Sequence, residues 1–213
     1  MTPKEELIIK FNHIILIQGF DNFSMVDLAK MAGISRAKLY IYFKNKDEIV
    51  QSVVHRHLEF LQKNSIPTKV EGKNLLPTIL NSLLLMGSTT KLFKTQLKQA
   101  YPQMYRQFNQ GYEEYFQALK KYYQVAQQQQ LLISDVSAEF LLFQNQINIH
   151  GILNNVRTNQ ISLEKGEQYL KEYFTYQIHS LLVKPEVVVS DQIKNFTQTI
   201  INEYYDRYAQ INN

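Results

Sequence analysis

The chain has 213 residues, 45 % of them hydrophobic, and a formal net charge of +4. That is enough apolar matter for one or two cored domains, and the absence of cysteine excludes a disulfide framework or a thiolate metal site. Only 7 glycines and 5 prolines, in a chain rich in Leu, Ile, Gln, Glu and Lys, argue against sheets and turns and for an all-α fold. No apolar run reaches the roughly 18 residues of a membrane span. The start Met1, Thr2, Pro3, Lys4, Glu5, Glu6 lacks a signal-peptide pattern, so a cytoplasmic protein with no membrane partner is expected.

Thr2, Pro3 and Glu5 form a helix start, with a capping side chain, a proline suited to the first helical position and a box-closing acid. Leu7, Ile8, Phe11, Ile14 and Ile15 follow at helical spacing, and Gly19 can end this helix at positive φ. Ser24 opens a short second helix with Leu28, Ala29 and Ala32 on its inner face, broken at Gly33. Ser35 caps a third helix running to about Phe43, and Asn45 to Glu48 is a capping-box pattern opening a fourth helix to about Lys63. Residues 64–73, interrupted by Pro67 and Gly72, are the expected linker between a domain 1–63 and a domain 64–213. Further helices are expected near 75–87, 89–99, 102–129, 135–157, 163–183 and 191–210. Pro102 suits a first turn, Ser134 and Ser162 are expected caps, and Pro185 stops the penultimate helix. Val187 to Val189 is the one strand-like tract, too short to build a sheet.

The segment from Ser24 to Lys46 carries the functional signal. Two short helices meet at Gly33, where the turn wants a backbone that β-carbons oppose. Small Ala29 and Ala32 let the third helix cross closely, and Ile34, Leu39 and Phe43 lock it. This is helix-turn-helix logic, in which the second helix of the pair enters the DNA major groove. From Arg36 to Lys46 there are four cations and no acid, a clustered patch suited to a polyanion. Ser35, Arg36, Ala37 and Lys38 form the N-terminal turn that meets base edges in this geometry. Arg36 can grip a guanine, Lys38 a guanine or a phosphate. The hydroxyls of Ser24, Tyr40 and Tyr42 suit phosphate oxygens, and Lys46 with the next helix start makes a further phosphate seat.

The segment resembles the tetracycline-repressor (TetR) family of regulators. The resemblance rests on Gly19 and Phe20; Ser24, Met25, Val26, Leu28 and Ala29; Ala32, Gly33, Ile34 and Ser35; and Leu39, Tyr40, Tyr42, Phe43, Lys46, Asp47 and Ile49, within residues 4–55. It implies a homodimer that binds operator DNA through its first three helices and responds to a ligand in its C-terminal domain. It implies DNA-facing roles for Ser24, Val26, Arg36, Ala37, Lys38, Tyr40, Tyr42 and Lys46, and a dimer contact from the helices near 135–157 and 163–183. The sequence departs from the family at Phe11, usually a small residue, and at Lys38, usually Ser, Thr or Ala.

Outside that segment the candidates are ligand-binding ones. Tyr101, Tyr105, Phe108, Tyr112 and Tyr115 or Phe116 follow helical spacing in an unusually aromatic stretch, 101–123, that also holds Tyr122 and Tyr123; such a stripe is core or the lining of a sensor cavity. Asn145, Asn148 and His150 share a helix and can bond an effector or pair across a dimer. His55 and His57, two apart on a helix, are not a metal pair and are expected to be exposed. The last helix presents Ile193, Phe196, Ile200, Tyr204 and Tyr208 on one face, to pack on the body or a partner subunit. Glycine-rich phosphate loops, nucleophile elbows and zinc-protease motifs are missing, so no catalytic residue, cofactor or metal is expected. The reading is a ligand-responsive DNA-binding regulator, with a co-regulator acting through a protein partner as the alternative and an enzyme or carrier with a helical cavity as a distant third.

Overall fold

The computed structural model describes residues 2–183. Among these the named elements are helices: α1 (Pro3–Gln18), α2 (Met25–Met31), α3 (Arg36–Tyr42), α4 (Lys46–Lys63), α5 (Gly72–Gly87), α6 (Lys91–Ala100), α7 (Pro102–Gln128), α8 (Ala138–Arg157) and α9 (Leu163–Leu181). The expected stop at Pro185, the Val187–Val189 tract and the helix at 191–210 lie outside the described residues.

The local signals act as their chemistry dictates. Thr2 accepts from the Glu5 amide while the Glu5 carboxylate accepts from the Thr2 amide, and α1 ends at Gly19 with φ +78°. At its ψ of −168° that conformation is essentially reserved for glycine. Ser162 caps α9 and Pro102 opens α7, as expected. Ser134 is not a cap; Ser137 is, accepting from the Phe140 amide at 3.1 Å. The reason lies in the preceding loop. Gln127 donates its side-chain amide to the carbonyls of Ile133 (2.7 Å) and Val136 (2.8 Å), and Leu132 bridges to Leu182. The loop is thereby held out of the helix until Ser137. The C-terminal end of α7 closes through Gln130 at φ +57°. The helix expected from 75 begins earlier, at Gly72.

The backbone groups into two compact units. The first contains residues up to 63 and residues 88–113. Phe11, Ile14, Ile15, Phe20, Leu28, Leu39, Phe43, Val53, Phe93 and Phe108 are fully or almost fully enclosed there. Phe11, large where the resembled family is small, packs edge-on against Phe43 at 5.7 Å between centroids. Phe20 sends its amide to the Gln96 side-chain oxygen at 2.7 Å, and the same amide group occupies the space a Cβ on Gly19 would need. His57 is a correction to the sequence reading: it is buried, not exposed, whereas His55 is exposed. It extends the inward stripe Val50, Val53, Val54 of α4, stacks on Tyr112 at 5.1 Å and shares a hydrogen bond with the Tyr112 hydroxyl.

The second unit contains residues 64–87 and 114–183. Here α5 packs on α8 and α8 on α9, around Leu76, Ile79, Leu83, Leu119, Tyr123, Ile149 and Leu181.

Candidate nucleic-acid interface

Ser24 caps α2 by accepting from the Asp27 amide at 3.2 Å, while its own hydroxyl and amide donate to the Asp27 carboxylate at 2.6 and 2.8 Å. The Ser24 hydroxyl and amide hold the Asp27 carboxyl below its ordinary range. Gly33 then turns the chain at φ +70°, its amide donating to Lys30 and that of Ile34 to Ala29. Ser35 caps α3 from the Lys38 amide at 3.2 Å. Leu28, Ala29, Ala32, Leu39 and Phe43 are buried and fix α3 by its inner side.

The opposite side of α3 is open. Ser35, Arg36, Ala37, Lys38 and Tyr40 are exposed and Tyr42 is half-buried. The Arg36 guanidinium lies over the Tyr40 ring at 5.4 Å, which pre-orders both side chains. The first turn of α3 carries no acid, so nothing in it opposes an approaching polyanion. Val26 on α2 is exposed as well.

Two expected contacts have other partners. Lys46 is half-buried and its ammonium donates to the Phe20 and Asp21 carbonyls at 3.1 and 3.3 Å. The Ser24 hydroxyl serves the cap just described. The Asn45 box is half-formed: Asn45 accepts from the Glu48 amide at 2.9 Å, but Glu48 turns to the Lys44 amide at 2.8 Å and the Lys4 ammonium at 3.2 Å. The sequence reading missed Ile41, 76 % exposed on α3. Its signal was there, since a position two residues after inward Leu39 falls on the outer side of a helix.

The ligand candidates fall into two groups. In the first unit the Tyr101 hydroxyl donates to the Asp47 carboxylate, and burial pushes the phenol well above its ordinary value. Tyr105 is half-buried with the Lys98 ammonium 5.8 Å from its ring. Phe108 is enclosed by Phe93, Tyr112 and His57 at 4.8 to 5.6 Å. Tyr112 joins His57 to the Ser88 hydroxyl, 2.9 Å away, beneath the Lys94 ammonium. In the second unit Asn145 is buried and accepts from the Tyr173 hydroxyl at 2.7 Å. Asn148 donates to the Gln144 carbonyl at 2.9 Å, and His150 donates from Nε2 to the Met86 carbonyl at 2.7 Å. His57 joins the first of these polar cores and Tyr115, Tyr123 and Tyr173 the second; of the four only Tyr173 lies outside the segments that the sequence marks. Among the described residues no cluster of three or more potential metal ligands occurs, and no helix is long and apolar enough to cross a membrane.

Helical throughout its named elements among the described residues, with a core-locked α2–turn–α3 near its N-terminus, the chain carries a helix-turn-helix. Residues 15–53 match the family model for bacterial regulatory proteins of the tetR family. The match takes in the end of α1, all of α2 and α3 and the first part of α4, and over that segment the chain is similar to this family of regulatory proteins. An uncharacterized HTH-type transcriptional regulator of Haemophilus influenzae is 35 % identical over 52 residues, which are 24 % of this chain and 28 % of that protein. A TetR-family regulator from Marinobacter aquaeolei VT8 shares the fold over 96 % of this chain and 99 % of its own, with a TM-score of 0.55 and 12 % identity. A structure from Saccharomonospora viridis in complex with choline covers 84 % of this chain and 97 % of its own, with a TM-score of 0.50 and 16 % identity.

Proposed function

We propose that the protein is a ligand-responsive repressor that binds a near-palindromic operator as a homodimer in the cytoplasm. The observation that carries this reading is the outer side of α3, where Arg36, Ala37, Lys38 and Tyr40 stand exposed on a helix fixed from behind. Arg36 reads a base edge, Lys38 a base edge or a phosphate, and Tyr40 a phosphate; Ser35, Val26, Tyr42, Ser24 and Lys46 border them. Two such helices about one DNA turn apart, roughly 34 Å, would read two half-sites. A dimer is supported by Phe140, Phe143 and Ile147 on α8 and Tyr169 and Tyr176 on α9, large apolar side chains left exposed at helical spacing. Two-fold pairing of one such surface is the commonest way to cover it. The effector takes the second unit, and it acts only through its different affinity for DNA-competent and DNA-incompetent states. The choline held by the S. viridis protein, similar in fold, fits a small-molecule effector.

Fluorescence anisotropy on DNA upstream of the gene itself, against scrambled DNA at several salt concentrations, tests the reading. A saturable, sequence-selective complex that weakens steeply with salt is expected. Arg36→Ala should cost about 1–3 kcal/mol at one operator position. Lys38→Ala, if its contact is to phosphate, should lower the salt slope by about one. Equal binding to both DNAs, or none after a genome-wide selection, would transfer the role to a protein-partner co-regulator. Exposed Ile41 beside Tyr40 is the observation favouring that second reading.

A further inference from the structure

The second unit holds buried polar groups whose hydrogen bonding is incomplete. The hydroxyls of Tyr115 and Tyr123 and the side-chain nitrogen of Asn145 are enclosed without a partner. Tyr123 and Asn145 are fully buried and Tyr115 nearly so. Buried polar groups in native proteins almost always find a partner, and an orphan destabilises the fold. Three of them in one unit call for an explanation. They also belong together: Tyr123 lies within electrostatic reach of Tyr115, Tyr122 and Tyr173, and the Tyr173 hydroxyl donates to the Asn145 oxygen at 2.7 Å. Ser82 lies close enough to act on the Tyr123 hydroxyl, and with its own proton given to the Ile79 carbonyl at 2.7 Å it has only acceptor capacity left to offer.

The unmet groups define a chemistry. Tyr173 occupies the Asn145 oxygen and so fixes which way the amide faces, leaving an Nδ2 that can only donate. Burial pushes the Tyr115 and Tyr123 phenols up, so both keep their protons at neutral pH and can donate as well. Among the described residues the other buried polar side chains of this unit are Thr78, Ser82 and Gln177, none of them charged. An ionised guest would therefore lack a buried counter-charge, and its desolvation would go uncompensated. Three neutral donors ask for an acceptor oxygen on an uncharged molecule.

We propose that Tyr115, Tyr123 and Asn145 form the polar end of a binding site for an uncharged small molecule bearing a carbonyl oxygen, with Tyr173 as the positioning residue. This deepens the ligand-responsive reading above and rests on it.

Isothermal titration of the full-length protein with uncharged aryl alkyl ketones, from acetophenone upward in size, tests the assignment. Aryl carboxylates and aryl trimethylammonium ions of matched size are the charged arms. Ketones should bind, and both charged series should bind at least tenfold more weakly. Tyr115→Phe and Tyr123→Phe should each weaken ketone binding about tenfold, yet raise the unfolding midpoint, because each removes an unpaired hydroxyl. Asn145→Leu should weaken binding similarly. The proposal is overturned if no ketone binds, if a carboxylate or cation binds tightest, or if ketone affinity is unchanged in all three variants. A protein that binds its operator but no ketone loses this proposal and keeps the regulatory reading. One that binds ketones but no DNA loses the regulatory reading alone.

Discussion

His57 shows what a single enclosed side chain does to the pH response of the first unit. Desolvation, with smaller contributions from the nearby Lys94 and Arg56 cations, pushes its pKa down from 6.5 to about 3. The unfolded chain therefore binds a proton below pH 6.5 that the folded chain refuses. The stability is complete above that pH and is lost as pH falls from 6.5 toward 3, by at most about 1.4 kcal/mol per pH unit. Urea unfolding at stepped pH should show this decline in the wild type and a shallower one in His57→Gln. Equal slopes would mean that the imidazole is not held neutral. The glycines give a second residue-scale expectation. Gly19 combines a glycine-only conformation with a Cβ direction blocked by Gln96, whereas Gly33 has positive φ but open space around it. Gly33→Ala should cost about 1–2 kcal/mol, and Gly19→Ala clearly more, by denaturant midpoint. Both glycines were legible in the sequence because a helix stop needs them. His57 was legible only in hindsight, as the next step of the stripe Val50, Val53, Val54. A polar residue type masked an inward position.

Helix starts are legible because their signals are local: a hydroxyl or amide meets an amide two or three residues on. This held for Thr2, Ser24, Ser35 and Ser162. It failed where a distant partner decided the matter. Ser134 and Ser137 both have the chemistry of a cap, and the Gln127 amide and the Leu132–Leu182 bridge select between them. Ser137→Ala should therefore cost about 1 kcal/mol, and Ser134→Ala, exposed and outside the helix, should be nearly neutral. Thermal unfolding of the two variants side by side checks the assignment; a larger loss in Ser134→Ala would reverse it. The same logic explains Lys46. Sequence supplied a cation at the right place, but the Phe20 and Asp21 carbonyls, just after α1, hold it.

For the whole molecule the expectation concerns association. Phe143, 58 % exposed on α8, belongs to the surface on which we place the dimer. Phe143→Glu should leave the helical content intact, shift the sedimenting species from dimer to monomer, and greatly weaken operator binding by removing the second half-site contact. A variant that remains dimeric would move the interface elsewhere. The all-α class and the helix-turn-helix could be read from composition, spacing and caps. Which core each helix joins could not. The pattern of residues 91–113 marks helices but carries no label for their neighbours, and their grouping with the N-terminal helices is a property of the folded backbone.

The glutamine run at the end of α7 has a consequence for how the gene can vary. Its four members are chemically identical but not interchangeable: Gln127 anchors two loop carbonyls, Gln130 turns the backbone at positive φ, and Gln128 and Gln129 are exposed. Exchange of Gln128 or Gln129 for another helix-tolerant residue should pass unnoticed, whereas loss or gain of one codon would separate the anchor from the turn it is spaced to serve. Selection should therefore hold the run's length more tightly than its spelling.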